Sequence, residues 1–225
     1  MEGRIKHALI MAAGRGARMA PLTDAMPKPM APYMGTTLIA SGIDKLRPHI
    51  PNVHITVGYK GAMLAQHVIE HDVASVFNTE GKSNSWWVYH TLMRFLDEPV
   101  YVLTCDNVLE LDFDLLEENY FDLGCPPNMV VPVPVVEGLD GDFIEADDHI
   151  VTRVGRDFTS DVYCSGIQVV NPRRINEIAA EGASFYDIWS QLIQQHLLAV
   201  SSIYPEKWMA VDTVDQLLRL HEVPR

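Results

Sequence analysis

Hydrophobic positions along this chain come in short runs separated by turn residues. Ala8 to Met11 is an apolar run that empties into small residues and glycines, the pattern of a buried strand running into a loop. Thr36 or Thr37 then opens a helix to about Leu46, with Leu38, Ile39, Ile43 and Leu46 at helical spacing. Val53 to Val57 reads as a strand, Gly58-Tyr59-Lys60-Gly61 as a turn at its end, Ala62 to Glu70 as a helix and Val73 to Phe77 as a third strand. Such alternation predicts a parallel sheet with right-handed crossovers, with ligands at the carboxyl ends of the strands. Ser83 or Ser85 caps a helix running to about Phe95, and Val100 to Thr104 is a further strand ending in Cys105-Asp106-Asn107.

From Asn128 the pattern changes. Met129 to Val136 is a strand interrupted by Pro132 and Pro134, which predicts an edge or a bulge. Phe143 to Ala146 and Ile150 to Val154 read as a hairpin around the acidic turn Asp147-Asp148, and Asp161 to Val170 as another strand. Ser184 opens a helix, Ala199 to Tyr204 is a strand, and Lys207 to Thr213 reads as a short strand that delivers Asp212 before a last helix. The expected fold is α/β: a single-domain, Rossmann-like, mixed and mostly parallel sheet flanked by helices, with a small β-hairpin insertion at about residues 140–156.

A chain of 225 residues, 48% of them hydrophobic, suits one domain with a complete core, so residues 1–225 are expected to form a single domain. The net charge of -13 argues against a general nucleic-acid binder and against an anionic membrane surface. Cys105, Cys125 and Cys164 are too few and too irregularly spaced for a disulfide framework or a zinc site. The apolar run near the start is too short for a signal peptide, and no segment has the length of a membrane span. The expectation is therefore a reduced, cytoplasmic protein with no nucleic-acid or membrane partner.

Against this acidic background the stretch from Leu9 to Met30 is locally basic, which favours a small anionic ligand. Gly14 and Gly16 let the backbone approach an oxyanion and turn N–H groups toward it. Arg15, Arg18 and Lys28 supply charge; Arg18 offers a bidentate grip on phosphate, and Lys28 a point charge on a rigid Pro27-Lys28-Pro29 turn. The dinucleotide fingerprint fails because Met19 stands where its third glycine would be, and the P-loop pattern fails for want of Gly-Lys-Ser/Thr. Asp106, at the tip of a buried strand, reads as a strand-end cap or as a Mg²⁺ ligand. A second carboxylate, Asp212, favours the latter, because Mg²⁺ takes few protein oxygens and shares phosphate and water.

Gly14, Gly16, Arg18, Pro21, Leu22, Thr23, Pro27, Lys28 and Pro29 together resemble the loop of the nucleotidyltransferases that join a nucleoside triphosphate to a phosphorylated sugar or alcohol and release pyrophosphate. The resemblance implies the nucleotide-diphospho-sugar transferase type of fold. It also implies a loop of Ala12, Ala13, Gly14, Arg15 and Gly16 around the triphosphate, Arg18 and Lys28 as the catalytic cations, and Asp106 and Asp212 holding Mg²⁺. The segment Gly81-Lys82-Ser83-Asn84-Ser85 followed by tryptophans looks most like the small cytidylyltransferases of the bacterial choline-phosphate type, and points to CTP. Asn84 and Ser85 are then nucleotide contacts, although an amide at position 84 equally reads as a loop brace.

Contacts to the acceptor are expected from Trp86, Tyr163, Gly166, Tyr186, Asp187 and Trp208. One of Trp86 and Trp87 should pack in the core and the other line a pocket, and Gly166 reads as a close backbone approach or a bulge. The acceptor itself stays open among phosphocholine, a sugar phosphate, a phosphonate and a phosphoglutamine type, and the setting implied is cell-surface polysaccharide biosynthesis. The alternatives are a UTP- or GTP-dependent sugar-1-phosphate enzyme and a silent nucleotide-sensing module. The latter would have lost Arg18, Lys28 or an aspartate, and all four are present. The oligomeric state, monomer or homodimer, is left open, and the nine histidines receive no role.

Overall fold

The computed structural model describes residues 5–136 and 141–222. The start of the expected insertion, at Asp140, and the first four residues lie outside the described residues. The fold is mixed α/β, as expected, and divides into two compact units. Among the described residues, one takes in residues 7–82, 103–109 and 209–222; the other takes residues 5–6, 83–102, 110–136 and 141–208. Among the described residues no helix is long and apolar enough to cross a membrane.

The unit that contains the glycine loop is built on parallel strands. His7–Ala12 pairs in parallel with Asn52–Val57, from His7 opposite Asn52 to Ala12 opposite Val57, and Asn52–Val57 pairs in parallel with Ser75–Asn78. The connections are the helices Leu38–Leu46 and Gly61–Ile69. Thr37 caps the first by accepting from the Ala40 N–H at 3.2 Å, and Leu38, Ile39, Ile43 and Leu46 bury its apolar face. The third strand begins at Ser75, two residues later than expected, because Val73 and Ala74 belong to the connection before it, which closes where the Ala74 N–H donates to Val53 O (2.7 Å). A small core of Met19, Ala31, Leu38, Val211 and Leu217 ties the loop segment to the last helix, Val214–Glu222.

The other unit is largely antiparallel. Val162–Val170 pairs antiparallel with Val100–Thr104 and with Asn128–Pro134, whose other neighbour, Leu198–Val200, is parallel. Asn128–Pro134 is therefore an interior strand, and of the edge or bulge that its prolines predict it is the bulge that is found. They are tolerated because Leu198–Val200 reaches only to Val130, short of Pro132 and Pro134, and because the register on the other side shifts between Cys164 and Gln168. The expected hairpin is present as Phe143–Asp147 and Ile150–Gly155, with Asp148 left-handed at the turn (φ +56°). The helix expected to run to Phe95 is instead two pieces, Trp86–His90 and the 3₁₀ turn Leu92–Phe95. Thr91 divides them, donating to Trp87 O (2.7 Å) and accepting from the Met93 N–H (3.2 Å). The helix Phe113–Asp122, capped by Asp112, has no counterpart among the expected elements.

Candidate active site

Register brings the loop and its supports together. Because His7–Ala12 and Asn52–Val57 end at the same level, the loop after Ala12 lies beside the turn after Val57. Ala12 is buried and its N–H donates to Thr56 Oγ1 (3.1 Å), so this residue anchors the loop and does not offer a donor to nucleotide. Gly14 is exposed, with nothing within 4 Å of where a Cβ would stand. Gly16 is left-handed (φ +64°), and a Cβ there would lie 2.6 Å from the Lys28 Cβ. Glycine is required at position 16 both for backbone sterics and for the passage of the Lys28 stem. The loop then tightens into the 3₁₀ turn Ala17–Met19, and Lys28–Met30 forms a second such turn, with Pro29 inside it.

Lys28 is the centre of the charge arrangement. Its side chain is 8% exposed, and Nζ lies 2.7 Å from Asp106 Oδ2 and 2.9 Å from Asp212 Oδ1. Arg18 Nη2 reaches the same Asp212 oxygen at 2.8 Å. Burial alone would lower the Lys28 pKa; the charge and hydrogen bonds of Asp106 and Asp212 outweigh it, and the ammonium is held above its ordinary value. Asp106 is carried to this point by the Cys105 N–H, which donates to Met11 O (3.2 Å). Asp212 follows Val211, whose N–H donates to Asp106 O (2.9 Å). Gln216 Oε1 accepts from the N–H groups of Asp212 and Thr213, and Thr213 Oγ1 accepts from the Gln216 N–H. This reciprocal cap fixes Asp212 at the start of the last helix.

Two carboxylates, each about a quarter exposed, thus face one another across an ammonium. Among the described residues the protein engages only Oδ2 of Asp106 and Oδ1 of Asp212, which leaves each with one uncommitted oxygen. That donor set, two hard oxygens with room for phosphate and water, fits a divalent cation of the Mg²⁺ type. Among the described residues no group of three or more His, Cys, Asp or Glu could hold a metal, so an all-protein cage is not what this site offers.

Sequence reasoning missed three supports here: Thr56, Gln216 and Tyr59. The Tyr59 N–H donates to Ala13 O (3.0 Å), and its hydroxyl to Thr23 O (3.0 Å). The available signal was the turn at the carboxyl end of a parallel strand next to the loop strand.

In the other unit the expected contacts scatter into different roles. Asn84 is exposed, and its Oδ1 accepts from the Phe185 N–H (3.1 Å), the loop-bracing role. Ser85 is fully buried and 3.4 Å from Ser83 Oγ, which removes its side chain from any ligand. Trp87 is the core tryptophan, and the half-buried Trp86 stacks on His90 at 4.8 Å. Gly166 is the bulge residue, left-handed at φ +83° within the register shift. Tyr163 is buried against Phe143 (4.7 Å), and Asp187 accepts from the Ser184 N–H in a capping box; packing and capping account for these two without an acceptor. Trp208 is half-buried, with Nε1 donating to Ser165 O (2.9 Å). Tyr186 is 41% exposed, and burial together with the neighbouring Asp142 pushes its hydroxyl pKa up.

Residues 8–132 match the family described as the MobA-like NTP transferase domain. Over 220 residues, 90% of this chain and 60% of the relative, the chain is 26% identical to the mannose-1-phosphate guanyltransferase of Pichia angusta. The first curated relatives are matched over only 26% and 31% of their own length, so the chain spans about a quarter to a third of them. In structure it is similar to the inositol-1-phosphate CTP transferase from T. maritima, with a TM-score of 0.77, 13% identity and all of both chains covered. It is also similar to the CTP:phosphocholine cytidylyltransferase from Streptococcus pneumoniae, with a TM-score of 0.73, 22% identity and 96% and 97% of the two chains covered.

Proposed function

This chain belongs to the family of MobA-like NTP transferase domains, and on that premise we propose that it is a Mg²⁺-dependent cytidylyltransferase. It joins CTP to a small phosphorylated or phosphonate acceptor and releases pyrophosphate. The observation that carries the reading is Lys28 held between Asp106 and Asp212, with Arg18 on the same carboxylate and the glycine loop over the Lys28 stem. CTP is favoured by the Gly81 to Trp87 segment and by the likeness to two cytidylyl-transferring proteins.

An oxygen of the acceptor's phosphate or phosphonate attacks the α-phosphorus in line as pyrophosphate departs on the opposite side. That oxygen is already ionised, so no strong general base is needed, and rate comes from holding two anions together and offsetting charge. N–H groups of the loop at Ala13 to Gly16, with Arg15, hold the triphosphate. Arg18 stabilises charge on the departing phosphates, and Lys28 lies toward the α-phosphate and the acceptor. Asp106 and Asp212 would hold Mg²⁺, which supplies further charge neutralisation when bound. The Asn84 amide nitrogen is left for the nucleobase, and Trp86, Gly166, Tyr186 and Trp208 for the acceptor.

A second reading, a UTP- or GTP-dependent enzyme acting on a sugar 1-phosphate, is favoured by the similarity to a mannose-1-phosphate guanyltransferase along 90% of the chain. Thermal unfolding with Mg²⁺ and each of CTP, UTP, GTP, ATP and dTTP separates the two, since a ligand of the folded state raises Tm with its occupancy. A rise with CTP alone supports the proposal. A rise with UTP or GTP transfers the protein to the second reading, and a flat response to all five, with and without phosphocholine and glucose 1-phosphate, refutes both.

A further inference from the structure

The largely antiparallel unit holds a cavity of about 630 Å³, and every residue that lines it belongs to this unit. Its origin is a gap in the sheet. Leu198–Val200 follows Asn128–Pro134 only as far as Val130, and the chain leaves the sheet once the Ser201 N–H has donated to Val130 O (2.9 Å). Beyond that point Pro132 has no N–H with which to recruit another strand. The hairpin stands across the gap, because Ile150 pairs with Ala199 while Phe143 turns back to pair with Tyr163. The space that remains is lined by Pro132, Val200 and Ile144.

Hydrogen bonds fix its walls. Ser160 Oγ donates to Ile144 O (2.6 Å), and the Val200 N–H to His149 O (2.9 Å). Asn119 Oδ1 accepts from Ser201 Oγ (2.8 Å) and from the Ser202 N–H (3.2 Å). The floor is apolar, with Pro132 and Ile144 buried and Val162 and Val200 half-buried. The rim carries Glu145, Asp148 and Asp161, and no lysine or arginine lines the cavity. His149 Nδ1 lies 2.8 Å from Asp148 Oδ2 and offsets that carboxylate alone. Among the described residues no cation is paired with the side chain of Glu145 or Asp161. Uncompensated carboxylates at the mouth of a concave apolar wall focus a negative potential into it. The volume falls within the range of about 300–1,000 Å³ that small-molecule sites occupy.

We infer that this cavity binds a small organic cation, an ammonium on a short apolar chain, with the chain on the floor and the ammonium at the rim carboxylates. None of Trp86, Gly166, Tyr186 and Trp208, the residues left for the acceptor, lines it. It is therefore a second small-molecule site, and its occupancy does not depend on the nucleotidyltransferase reading. The full chain is titrated calorimetrically near neutral pH and at fixed ionic strength with hexylammonium, 1-hexanol and hexanoate. The three share one apolar chain and differ in the charge of the head.

Hexylammonium is expected to bind about tenfold tighter than 1-hexanol, the scale of two exposed ion pairs, and hexanoate to bind more weakly than either. Glu145→Gln and Asp161→Asn should each cut hexylammonium affinity about threefold and leave 1-hexanol unchanged. Glu118→Gln removes an exposed carboxylate that does not line the cavity and should change neither. Val200→Trp fills the floor and should abolish binding of both. Glu145 and Asp161 are exposed, so their variants keep the fold and carry the test even where Val200→Trp unfolds. Equal affinity for hexylammonium and 1-hexanol, a preference that survives loss of both carboxylates, or no binding at all overturns the site. A rise in Tm with nucleotide but no hexylammonium binding removes the cavity site alone. Carboxylate-dependent hexylammonium binding without any nucleotide response keeps the site and removes the nucleotidyltransferase reading.

Discussion

Replacing Gly16 by alanine tests the loop where its geometry is tightest. The new Cβ would stand 2.6 Å from the Lys28 Cβ, 2.9 Å from its Cδ and 3.2 Å from its Cγ, on a backbone at φ +64°. The left-handed conformation costs an alanine about 1 kcal/mol. The Lys28 stem cannot simply step aside, because its ammonium is held by Asp106 and Asp212 at 2.7 and 2.9 Å, and forced overpacking of this kind costs about 1–3 kcal/mol. Gly16→Ala is therefore expected to lose about 2–4 kcal/mol of stability, read from urea titration followed by tryptophan fluorescence. Gly14→Ala is the matched control. Nothing lies within 4 Å of its Cβ position, so stability should stay within about 0.5 kcal/mol. The rise in Tm produced by nucleotide should nevertheless disappear, because the methyl occupies the space into which an oxyanion must come. Wild-type stability in Gly16→Ala would refute the packing of Lys28 under the loop. An undiminished nucleotide response in Gly14→Ala would refute the loop as an oxyanion cradle.

Asp106→Asn and Asp212→Asn should each lower Mg²⁺-dependent pyrophosphate release by about a hundredfold or more while the fold persists; full turnover in either variant excludes that residue from the mechanism. His54 is buried, and burial followed by the neighbouring His7 lowers its pKa from 6.5 to about 4. The native state thus keeps this ring neutral while the unfolded chain takes up a proton below 6.5, so stability is present above that pH and is lost as pH falls toward 4. At about pH 5 the loss relative to about pH 8 is about 2 kcal/mol. Urea titrations of the wild type and His54→Gln should show the gap between them shrinking by that amount, and a pH-independent gap would refute it. Asn84→Ala removes the acceptor of the Phe185 N–H and should cost about 1 kcal/mol; unchanged stability would show that the brace contributes nothing.

Much of the loop's make-up was legible because it is written locally. The glycines at positions 14 and 16, the cations at 18 and 28 and the prolines around Lys28 lie in one short stretch, and their types are dictated by backbone sterics and charge. Asp106 was legible for a similar reason, since the β-branched run before it reads as a strand and Asp106 follows in the turn just past its end, Thr104. The helices from Thr37 and Ser184 were also marked by their own caps, and both caps are present. Where local signals conflicted, tertiary context decided. Prolines at 132 and 134 argue for an edge or a bulge, and tertiary context chose the bulge: the strand is interior, the register beside it shifts, and its parallel neighbour stops at Val130, short of both prolines. Ser85, Tyr163 and Asp187 are of ligand-binding type, yet burial and capping use them up.

What the sequence by itself determined, then, was the class of fold and the residue types of the loop, through patterns that span a few residues each. Only the tertiary structure decided which carboxylates meet Lys28, since residues 28, 106 and 212 are brought together by pairing between distant segments. It alone showed that Tyr59 fastens the loop. The register of two parallel strands sets which turn stands beside Ala13, and register is a property of the assembled sheet that no single strand carries.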